Sequence, residues 1–533
     1  MGKVRVIMDL FHFRIGVTKI PIKDNLKFAF ISSFVIGMLV HFSVLSNNLL
    51  NHDGAGAFYW PHSFVDHGRW LLKSVCSIST YFTIPWVTGI LSILYLSIAI
   101  TIIVEIFSLQ HKISILITAG FLITFPALSS TFSYLFVADG YMLGVACACL
   151  SVLFVQKLKY GYLWGAIPLA CSLGIYQAYL SISILLILLL LIIQILDSKS
   201  TAQQIFLKIK DYLLLGLFGA VIDFICMKAA LLITNMNLTD YQGASSINQY
   251  SLSIDNILKS IEISIQEFFS FPQQSSISGY GFIKYILIAY AVIFILTVVL
   301  IIRKNSIYNN PIKIVLLLLI LVFTPFALEI IRFVIPDVWY HMLMNYPWCI
   351  LFISVPVLHE RYINNMEKIY MERRYCLLHN LAVICASIII FVYFLISNLA
   401  YFNMENRVNK VYGMTVRMVD RIEQVDGFTF ETPVLFYGDT RYSTESQTDA
   451  YLEGLIGTTN NDFIISDIFY KVYIDNTLNL KFPTPDQQTI EKIRNNEQFR
   501  SMPLWPARDS VQMIEGVIVI KVNSNGDRWD HLS

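Results

Sequence analysis

The chain has 533 residues, of which 56% are hydrophobic and only 14% are charged. Soluble proteins carry about a quarter charged residues, so this composition excludes an ordinary soluble domain and indicates a polytopic membrane protein. The net charge is +1 and no long basic or acidic block occurs, so nucleic-acid binding has no electrostatic support.

The first 27 residues form a basic tail in front of a long apolar run. Its six basic residues are Lys3, Arg5, Arg14, Lys19, Lys23 and Lys27. The apolar run is too long for the core of a cleaved signal peptide, and no small-residue cleavage motif ends it. We therefore predict a tail at 1–27 followed by a retained signal-anchor helix.

Eleven apolar segments are candidates for membrane crossings, because a hydrocarbon core of about 30 Å needs about 20 apolar residues in a helix. They are 28–46, 83–107, 113–130, 136–156, 162–176, 178–196, 212–235, 283–302, 313–333, 338–358 and 377–398. The least certain stretch is 162–196, which composition alone allows as one long helix or as a hairpin that breaks near Gly174 to Gln177.

The distribution of lysine and arginine separates the connections into two sets. Nineteen of these residues lie in the N-terminal tail and on one set of connections, whereas the alternate set has five. The positive-inside rule places the richer set, and the N-terminus, in the cytoplasm. Lys157 and Lys199 then share a side, so an even number of crossings separates them and the hairpin is favoured. Whether both of its arms span the membrane stays open.

The last part of the chain differs in composition from the first. Residues 399–533 have ordinary polar content, with strand-like runs at 433–437 and 516–520 and helix-like runs at 444–456 and 486–499. We expect a polytopic α-helical membrane protein with about 11 transmembrane helices. It would have a transmembrane catalytic domain at 28–398, outer loops at 47–82 and 236–282, and a small extracytoplasmic α/β domain at 399–533.

Unusual polar residues collect on the connections assigned to the outer face. They are Asp53, His62, Asp66 and Arg69 in the first outer loop, Asp139 at the fourth crossing, Tyr176 and Gln177 at the hairpin turn, Arg332 at the ninth crossing and His341 at the tenth. Ionisable groups at membrane depth are costly to keep there, and this makes them candidates for function.

Several of these residues also have a purely structural interpretation. Asp66 and Arg69 have the spacing of a pair on a helical turn. Asp139 has the chemistry of a helix cap. Arg332 has the length to extend to the interface.

The hairpin turn and the histidines have structural interpretations too. Tyr176 and Gln177 fit a plain polar turn, and His52 and His62 fit loop contacts better than metal ligands. Asp53 is the hardest residue to explain structurally, because the nearby Gly54 frees the backbone to approach a ligand.

An outward-facing carboxylate near an arginine and beside lipid suits sugar transfer from a lipid-phosphate donor. The carboxylate takes a proton from the acceptor hydroxyl, and the arginine stabilises the departing phosphate. Nucleotide sugars are absent outside the cell, so a polyprenyl-linked donor is the expected substrate.

Three motifs resemble the serotype-converting O-antigen glucosyltransferases of temperate phages and bacterial glucosylation clusters. The first runs from Asp53-Gly54 to Gly68-Arg69-Trp70, and the second is the turn from Gly174 to Ser181. The third is Met502-Pro503-Leu504-Trp505-Pro506 followed by Ile514 to Val519.

The resemblance implies a C-type glycosyltransferase (GT-C) fold in the bacterial cytoplasmic membrane. It also implies transfer of glucose from undecaprenyl-phosphate glucose to a surface polysaccharide such as O-antigen, with a donor synthase and a flippase as partners. No cofactor is required and no metal ligands are assigned, although a divalent cation is compatible with the fold.

By match, Asp53 is the base, Arg69 and Arg332 contact phosphate or sugar, and Tyr176 and Gln177 line the cleft. Asp66, Asp139 and His341 are further substrate-binding candidates. The family's first loop often has two adjacent acids, whereas here a histidine precedes Asp53, which puts a two-carboxylate mechanism in doubt.

Two other functions remain open from the sequence. A surface-polysaccharide polymerase would use the same sugar chemistry with a lipid-linked oligosaccharide donor. A lipid or sugar transporter would show charged residues in the middle of the membrane and inverted repeats. Asp223 and Glu329 are the main charged residues within the predicted crossings, and inverted repeats are not apparent.

Overall fold

The computed structural model describes residues 23–51, 53–54, 64–76, 83–239, 254–279, 281–336, 338–364, 373–438, 448–459 and 467–523. His52 and His62, most of the N-terminal tail and part of the predicted helix 444–456 lie outside these residues.

Helices make up most of the described chain. They are α1 Asp24–Ser46, α2 Leu72–Val75, α3 Pro85–Phe107, α4 Lys112–Thr124, α5 Ala127–Ser133, α6 Leu135–Lys157, α7 Gly161–Ile175, α8 Leu180–Leu196, α9 Ala202–Thr234, α10 Ile254–Ser270, α11 Ser275–Ser278, α12 Ile283–Lys304, α13 Pro311–Leu328, α14 Cys349–Asn364, α15 Arg373–Glu423, α16 Asp467–Leu478, α17 Gln487–Asn495 and α18 Glu497–Ser501. Short 3-10 turns lie at Val65–His67, Gln177–Tyr179, Phe271–Gln273, Ile307–Asn309, Ile330–Phe333, Met342–Trp348, Asp449–Tyr451 and Arg508–Ser510.

Within the described residues, nine helices are long and apolar enough to cross a membrane, or ten if the bent pair α4 and α5 is one span. This supports a polytopic membrane protein. The predicted crossing 113–130 contains the two helices α4 and α5, at 47° to each other. Pro126 explains the bend, because a proline disfavours helical backbone at the residue before it. Helix α7 has only 15 residues, so the count of eleven crossings stays a prediction.

The stretch 162–196 is a hairpin of two helices. Helix α7 ends at Ile175, and Tyr176 has extended backbone with φ −157° and ψ 112°. Ser181, at the start of α8, donates to the Leu328 carbonyl oxygen at 2.9 Å, and Asn305 donates to the Leu196 carbonyl oxygen at 2.6 Å. The turn and the free ends of the hairpin therefore lie at opposite ends of the bundle.

The end of the bundle opposite that turn is rich in ion pairs. Glu105 binds both Lys23 and Lys157, with N–O distances of 2.8 Å, and Lys313 donates to the Asp197 carbonyl oxygen at 2.6 Å. These residues belong to the lysine-rich connections. The two sets of connections that differ in lysine and arginine content are therefore also separated in space.

Helix α15 is the longest element and passes through the predicted boundary at 398. It has 51 residues, or about 75 Å at 1.5 Å per residue. Beyond residue 398 its buried apolar side chains, including Met404, Val411 and Met418, continue at helical spacing. Met404 still packs in the core of the bundle, and from Val411 onward the helix packs against the C-terminal sheet.

The C-terminal part of the chain contains a three-stranded sheet of order β1-β3-β2, with β1 Val434–Tyr437, β2 Val511–Ile514 and β3 Val517–Lys521. Strand β3 pairs in parallel with β1 and antiparallel with β2. Its buried side chains pack against α15, for example Ile518 and Ile520 against the cluster that holds Ile422. Strands β1 and β3 coincide with the two strand-like runs.

The helical predictions for this part are less accurate. The described portion of 444–456 has only the 3-10 turn Asp449–Tyr451, followed by Gly454 and Gly457 with φ of +85° and +82°. Such positive φ values interrupt a right-handed helix. The predicted helix 486–499 is divided into α17 and α18 at Asn496, whose side chain caps the second helix.

Candidate active site

A polar cavity of about 450 Å³ lies where the helical bundle meets the C-terminal part of the chain. One wall comes from the bundle and supplies Glu267, Gln274, Arg332, Val338, Trp339, Tyr340, His341, Met342 and Asn345; the other supplies Gly454, Leu455, Ile456 and Thr459. Of the predicted site residues, Arg332 and His341 line this cavity.

Arg332 is held in a buried ion pair at the cavity wall. Helix α13 ends at Leu328, and the 3-10 turn that follows brings the Arg332 Nε within 2.6 Å of the Glu329 carboxylate. Both residues are only 5% exposed, and Ser264 donates to the same Glu329 oxygen at 3.2 Å. The interpretation that Arg332 extends to the membrane interface is therefore wrong, because its charge is neutralised inside the protein.

The remaining donors of Arg332 define what the cavity can bind. Its Nη1 donates to the Val338 carbonyl oxygen at 3.2 Å, and the guanidinium lies 5.0 Å from the Tyr340 ring centroid. Its Nη2 has no hydrogen-bond acceptor among the residues that the structure describes. Two N–H donors of a cation are thus available to an anionic ligand.

His341 lies next to Arg332 in the cavity wall. Burial, and secondarily the positive charge of Arg69, lowers the pKa of His341 to about 4, so the imidazole is neutral near pH 7. Its buried Nδ1 has no hydrogen-bond partner within the described part of the chain. A neutral imidazole can donate to or accept from a sugar hydroxyl.

Arg69, whose charge contributes to the low pKa of His341, lies in the predicted outer loop 47–82. Arg69 Nη1 donates to the Tyr141 hydroxyl at 3.1 Å, and its guanidinium stacks on the Tyr176 ring at 4.8 Å. Tyr179 packs edge-on against Tyr176 with centroids 5.2 Å apart. Arg69 is therefore fixed among aromatic side chains and does not line the cavity.

Tyr176 and Gln177 fasten the loop to the hairpin turn. Gln177 donates to the His67 carbonyl oxygen at 3.3 Å, and the Leu71 N–H donates to the Gly174 carbonyl oxygen at 2.9 Å. Neither Tyr176 nor Gln177 lines the 450 Å³ cavity. The structure thus gives the turn a supporting position and does not place it in the cavity wall as expected.

The packing of Trp70 on Gly174 accounts for one residue in each of the first two motifs. Trp70 Nε1 donates to the Asp223 carboxylate at 2.8 Å. A Cβ on Gly174 would lie 2.3 Å from the Trp70 ring, so only glycine admits the indole here. Asp223 therefore helps to attach the segment that contains Trp70 to the helical bundle.

Asp66 and Asp139 also lie away from the cavity wall. The Asp66 carbonyl accepts from the Thr239 N–H at 3.0 Å, and its carboxylate lies 3.9 Å from His67 Nε2. Asp139 is the fifth residue of α6, whose N-cap is Tyr134, so the helix-cap interpretation is wrong. Burial and the adjacent Asp139 carboxylate together raise the pKa of the Cys76 thiol.

Asp53 lies in a half-buried turn that is tied to the second cavity wall. The Asn51 side chain accepts from the Gly54 N–H at 2.7 Å and so closes the turn. Arg407 of α15 donates to the Leu50 carbonyl oxygen at 2.7 Å, and also to the carbonyl oxygens of Gly457 at 3.0 Å and Thr459 at 2.6 Å. One arginine therefore joins the base of the Asp53 turn to the loop that lines the cavity.

Sequence reasoning missed Glu267, Tyr340 and Arg407. Tyr340 was detectable as an aromatic residue eight positions after Arg332, and Glu267 belongs to an amphipathic helix far from Arg332 in the sequence. Arg407 stands at 1% exposure among the buried apolar positions of α15. A charged residue in such a stripe indicates a specific partner, but the sequence does not name it.

The part of the chain described here contains no group of three His, Cys, Asp or Glu side chains that could hold a metal ion. Residues 42–358, more than half of the chain, match the family model of Glucosyl transferase GtrII. The chain belongs to this family. No curated protein and no solved structure matches it. The family match includes the predicted outer loop 47–82, the hairpin and Arg332 with His341, and it ends before α15 begins.

Proposed function

We propose that this glucosyl transferase moves glucose from a polyprenyl-phosphate donor to a hydroxyl of a surface polysaccharide such as O-antigen. The reaction takes place on the outer face of the bacterial cytoplasmic membrane. The observation that carries the proposal is a buried arginine, Arg332, with free N–H donors in a polar cavity at the end of a membrane bundle.

The hydrogen-bonding groups of the cavity suit a sugar phosphate. The available Arg332 Nη2 donors suit phosphate oxygens, and the Glu329 partner fixes the guanidinium plane in advance. Trp339 and Tyr340 offer aromatic faces to a sugar ring, and His341 and Asn345 offer hydrogen-bonding groups to its hydroxyls.

The reaction needs one base and one group that stabilises the departing phosphate. Asp53 takes the proton of the acceptor hydroxyl as its oxygen attacks the anomeric carbon. The bond from that carbon to the phosphate oxygen breaks, and polyprenyl phosphate leaves with the electron pair. Arg332 stabilises the negative charge that grows on the phosphate.

The position of the Asp53 turn supports its role as base. Arg407 attaches Leu50, three residues before Asp53, to the carbonyls of Gly457 and Thr459. Thr459 lines the cavity. The turn that holds Asp53 is therefore attached to the C-terminal wall of the cavity, whereas Arg332 belongs to the bundle wall.

The orientation and partners follow from the distribution of charge and the choice of donor. The lysine-rich end with Glu105, Lys23 and Lys157 faces the cytoplasm under the positive-inside rule. The cavity and the C-terminal sheet then face outward. A cytoplasmic synthase and a flippase would supply the lipid-linked sugar. A reporter fused after Ser533 should be active outside; activity inside would overturn this orientation.

The direct test is sugar transfer by purified protein in lipid vesicles, with undecaprenyl-phosphate glucose and a surface-polysaccharide acceptor. Asp53→Asn should lower the rate by about 10²- to 10⁴-fold, the usual contribution of a general base. Asp426→Asn, which changes an exposed acid far along the chain, is the matched control and should transfer normally. Wild-type activity in Asp53→Asn would remove this residue as the base.

A deletion strain separates side-chain transfer from polymerisation. Loss of a side-chain transferase should leave the length distribution of the polysaccharide unchanged and remove one sugar from each repeat. Shortened chains would instead assign the protein to polymerisation.

A further inference from the structure

A second cavity, of about 930 Å³, lies on the flank of the helical bundle between α8, α12, α13 and α14. Apolar and aromatic side chains cover its walls, among them Leu188, Ile192, Tyr290, Phe294, Leu321 and Phe352. Tyr285 and Ile288 also line it and are 64% and 61% exposed. The cavity is thus a groove that opens sideways, on a surface that a membrane would cover.

One end of this groove is polar. Lys284, in the first turn of α12, is the one charged side chain among the described residues that line it. Its ammonium lies 5.1 Å from the Tyr285 ring centroid, and no described carboxylate forms an ion pair with it. Gln273 and Ser278 line the groove as well. A long apolar groove with a single cation at one end is complementary to an anionic lipid.

A wall formed by residues 267–274 separates the groove from the polar cavity. Along this segment, Glu267 and Gln274 line the polar cavity, whereas Phe268 and Gln273 line the groove. Trp348 stacks on Phe268 at 5.1 Å and on Phe271 at 4.4 Å, which makes the wall rigid. The two spaces are therefore neighbours on opposite sides of one aromatic wall.

We propose that the groove binds the isoprenoid chain of the lipid-phosphate donor, with Lys284 attracting the phosphate at the polar end of the groove and the head group passing the wall, so that Arg332 holds the phosphate and the sugar lies in the polar cavity. The inference rests on the proposed function. The single groove suits one chain, whereas a phospholipid brings two. Its position beside the Arg332 cavity has a use only for a lipid whose head group is the substrate.

A bulky side chain in the groove tests the proposal. Ala291 lines the groove, and the adjacent Val292 is 46% exposed outside it. Ala291→Trp should raise KM for undecaprenyl-phosphate glucose at least tenfold, and transfer from a short citronellyl-phosphate glucose should be unchanged. Val292→Trp, the matched control, should alter neither. An equal effect of Ala291→Trp on both donors, or no effect on either, would overturn the proposal.

Lys284→Ala separates the phosphate contact from the chain contact. It should raise KM for the long and the short donor alike, because both carry the phosphate. An unchanged KM for both donors would exclude phosphate binding at this end of the groove.

A binding experiment that needs no sugar transfer tests the groove independently of the proposed function. A photoreactive undecaprenyl phosphate, in vesicles of phosphatidylethanolamine and phosphatidylglycerol, should label α8 and α12 of the full-length protein. Unlabelled undecaprenyl phosphate should compete, and added phosphatidylglycerol should not. Equal competition by phosphatidylglycerol would show an ordinary lipid site and reject the proposal. Selective labelling in a protein that transfers no sugar would support the groove and reject the proposed reaction.

Discussion

The two walls of the polar cavity are built differently, and each depends on a buried arginine. In the bundle wall, Arg332 pairs with a carboxylate and keeps donors directed at the cavity. In the C-terminal wall, Arg407 donates to three backbone carbonyls and organises a glycine-containing loop. The first wall therefore offers N–H donors to a ligand, whereas the second determines the shape of the cavity.

This difference coincides with the extent of the family match, which covers the bundle wall and stops before α15. The side chains suited to a sugar phosphate lie inside the matched region, and the loop 454–459 lies outside it. We infer that the bundle wall sets the chemistry and that the C-terminal wall completes and closes the site. Substitutions in the two walls should then fail in different ways.

The largest effect should come from Arg332. Arg332→Ala should lower transfer by about 10²- to 10³-fold, as loss of one group that stabilises developing charge usually does. Steady-state kinetics with the polyprenyl donor measures it. Because the change also leaves Glu329 buried without its partner, the double variant Arg332→Gln with Glu329→Gln is needed as a folding control. Normal donor kinetics in the double variant would show that the bundle wall provides no charge to the substrate.

A smaller loss of transfer, with a larger loss of stability, should follow Arg407→Met. Three buried carbonyls lose their donor, and each unsatisfied group costs about 1–3 kcal/mol. The melting temperature should fall, and transfer should fall about tenfold because the Asp53 turn separates from the cavity loop. Arg417→Met removes an exposed arginine of the same helix that stacks on Trp505 and is the control. A variant that melts early yet transfers normally would limit Arg407 to a structural role.

A glycine of the C-terminal wall gives a further test of how the two walls differ. Gly457 has φ +82°, and a Cβ there would lie 2.0 Å from Ser133 Oγ. Gly457→Ala should cost about 1–3 kcal/mol of stability and raise KM a few-fold. Gly413→Ala, on the open face of α15 with nothing within 4 Å, should be neutral or slightly stabilising. If Gly457→Ala melted like wild type, the loop would not be held in one conformation.

The sequence predicted much of the bundle, because apolar length and lysine distribution are properties of each segment alone. The hairpin at 162–196 and the strands at 434–437 and 517–521 lie where the pattern placed them. The boundary at 398 stays a prediction, and α15 continues through it to Glu423. The apolar stripe that continues the helix packs on a sheet formed much later in the chain, and local pattern does not reveal that partner.

The candidate active site was also predictable only in part, because local pattern does not reveal contacts between distant segments. Arg332 and His341 were identified as costly polar groups at a membrane surface, and both line the cavity. Tyr176 and Gln177 were equally conspicuous, yet they hold the first loop in place. A polar residue at a helix end is recognisable from sequence, but whether it faces a ligand or a neighbouring loop depends on contacts between distant segments.

The smallest effect on transfer should come from His341→Gln, and its signature is the pH dependence of stability. The folded protein holds the pKa of His341 at about 4, below the ordinary value of 6.5. The unfolded chain therefore binds a proton first as pH falls below 6.5, and the wild type loses stability between that pH and about 4. Melting midpoints measured across this range should fall less steeply in His341→Gln, while transfer at pH 7 changes only a few-fold. His111→Gln, at the opposite end of the bundle, should keep the wild-type slope. An unaltered slope in His341→Gln would mean that this imidazole is open to solvent, and the bundle wall would then be less enclosed than its buried Arg332 indicates.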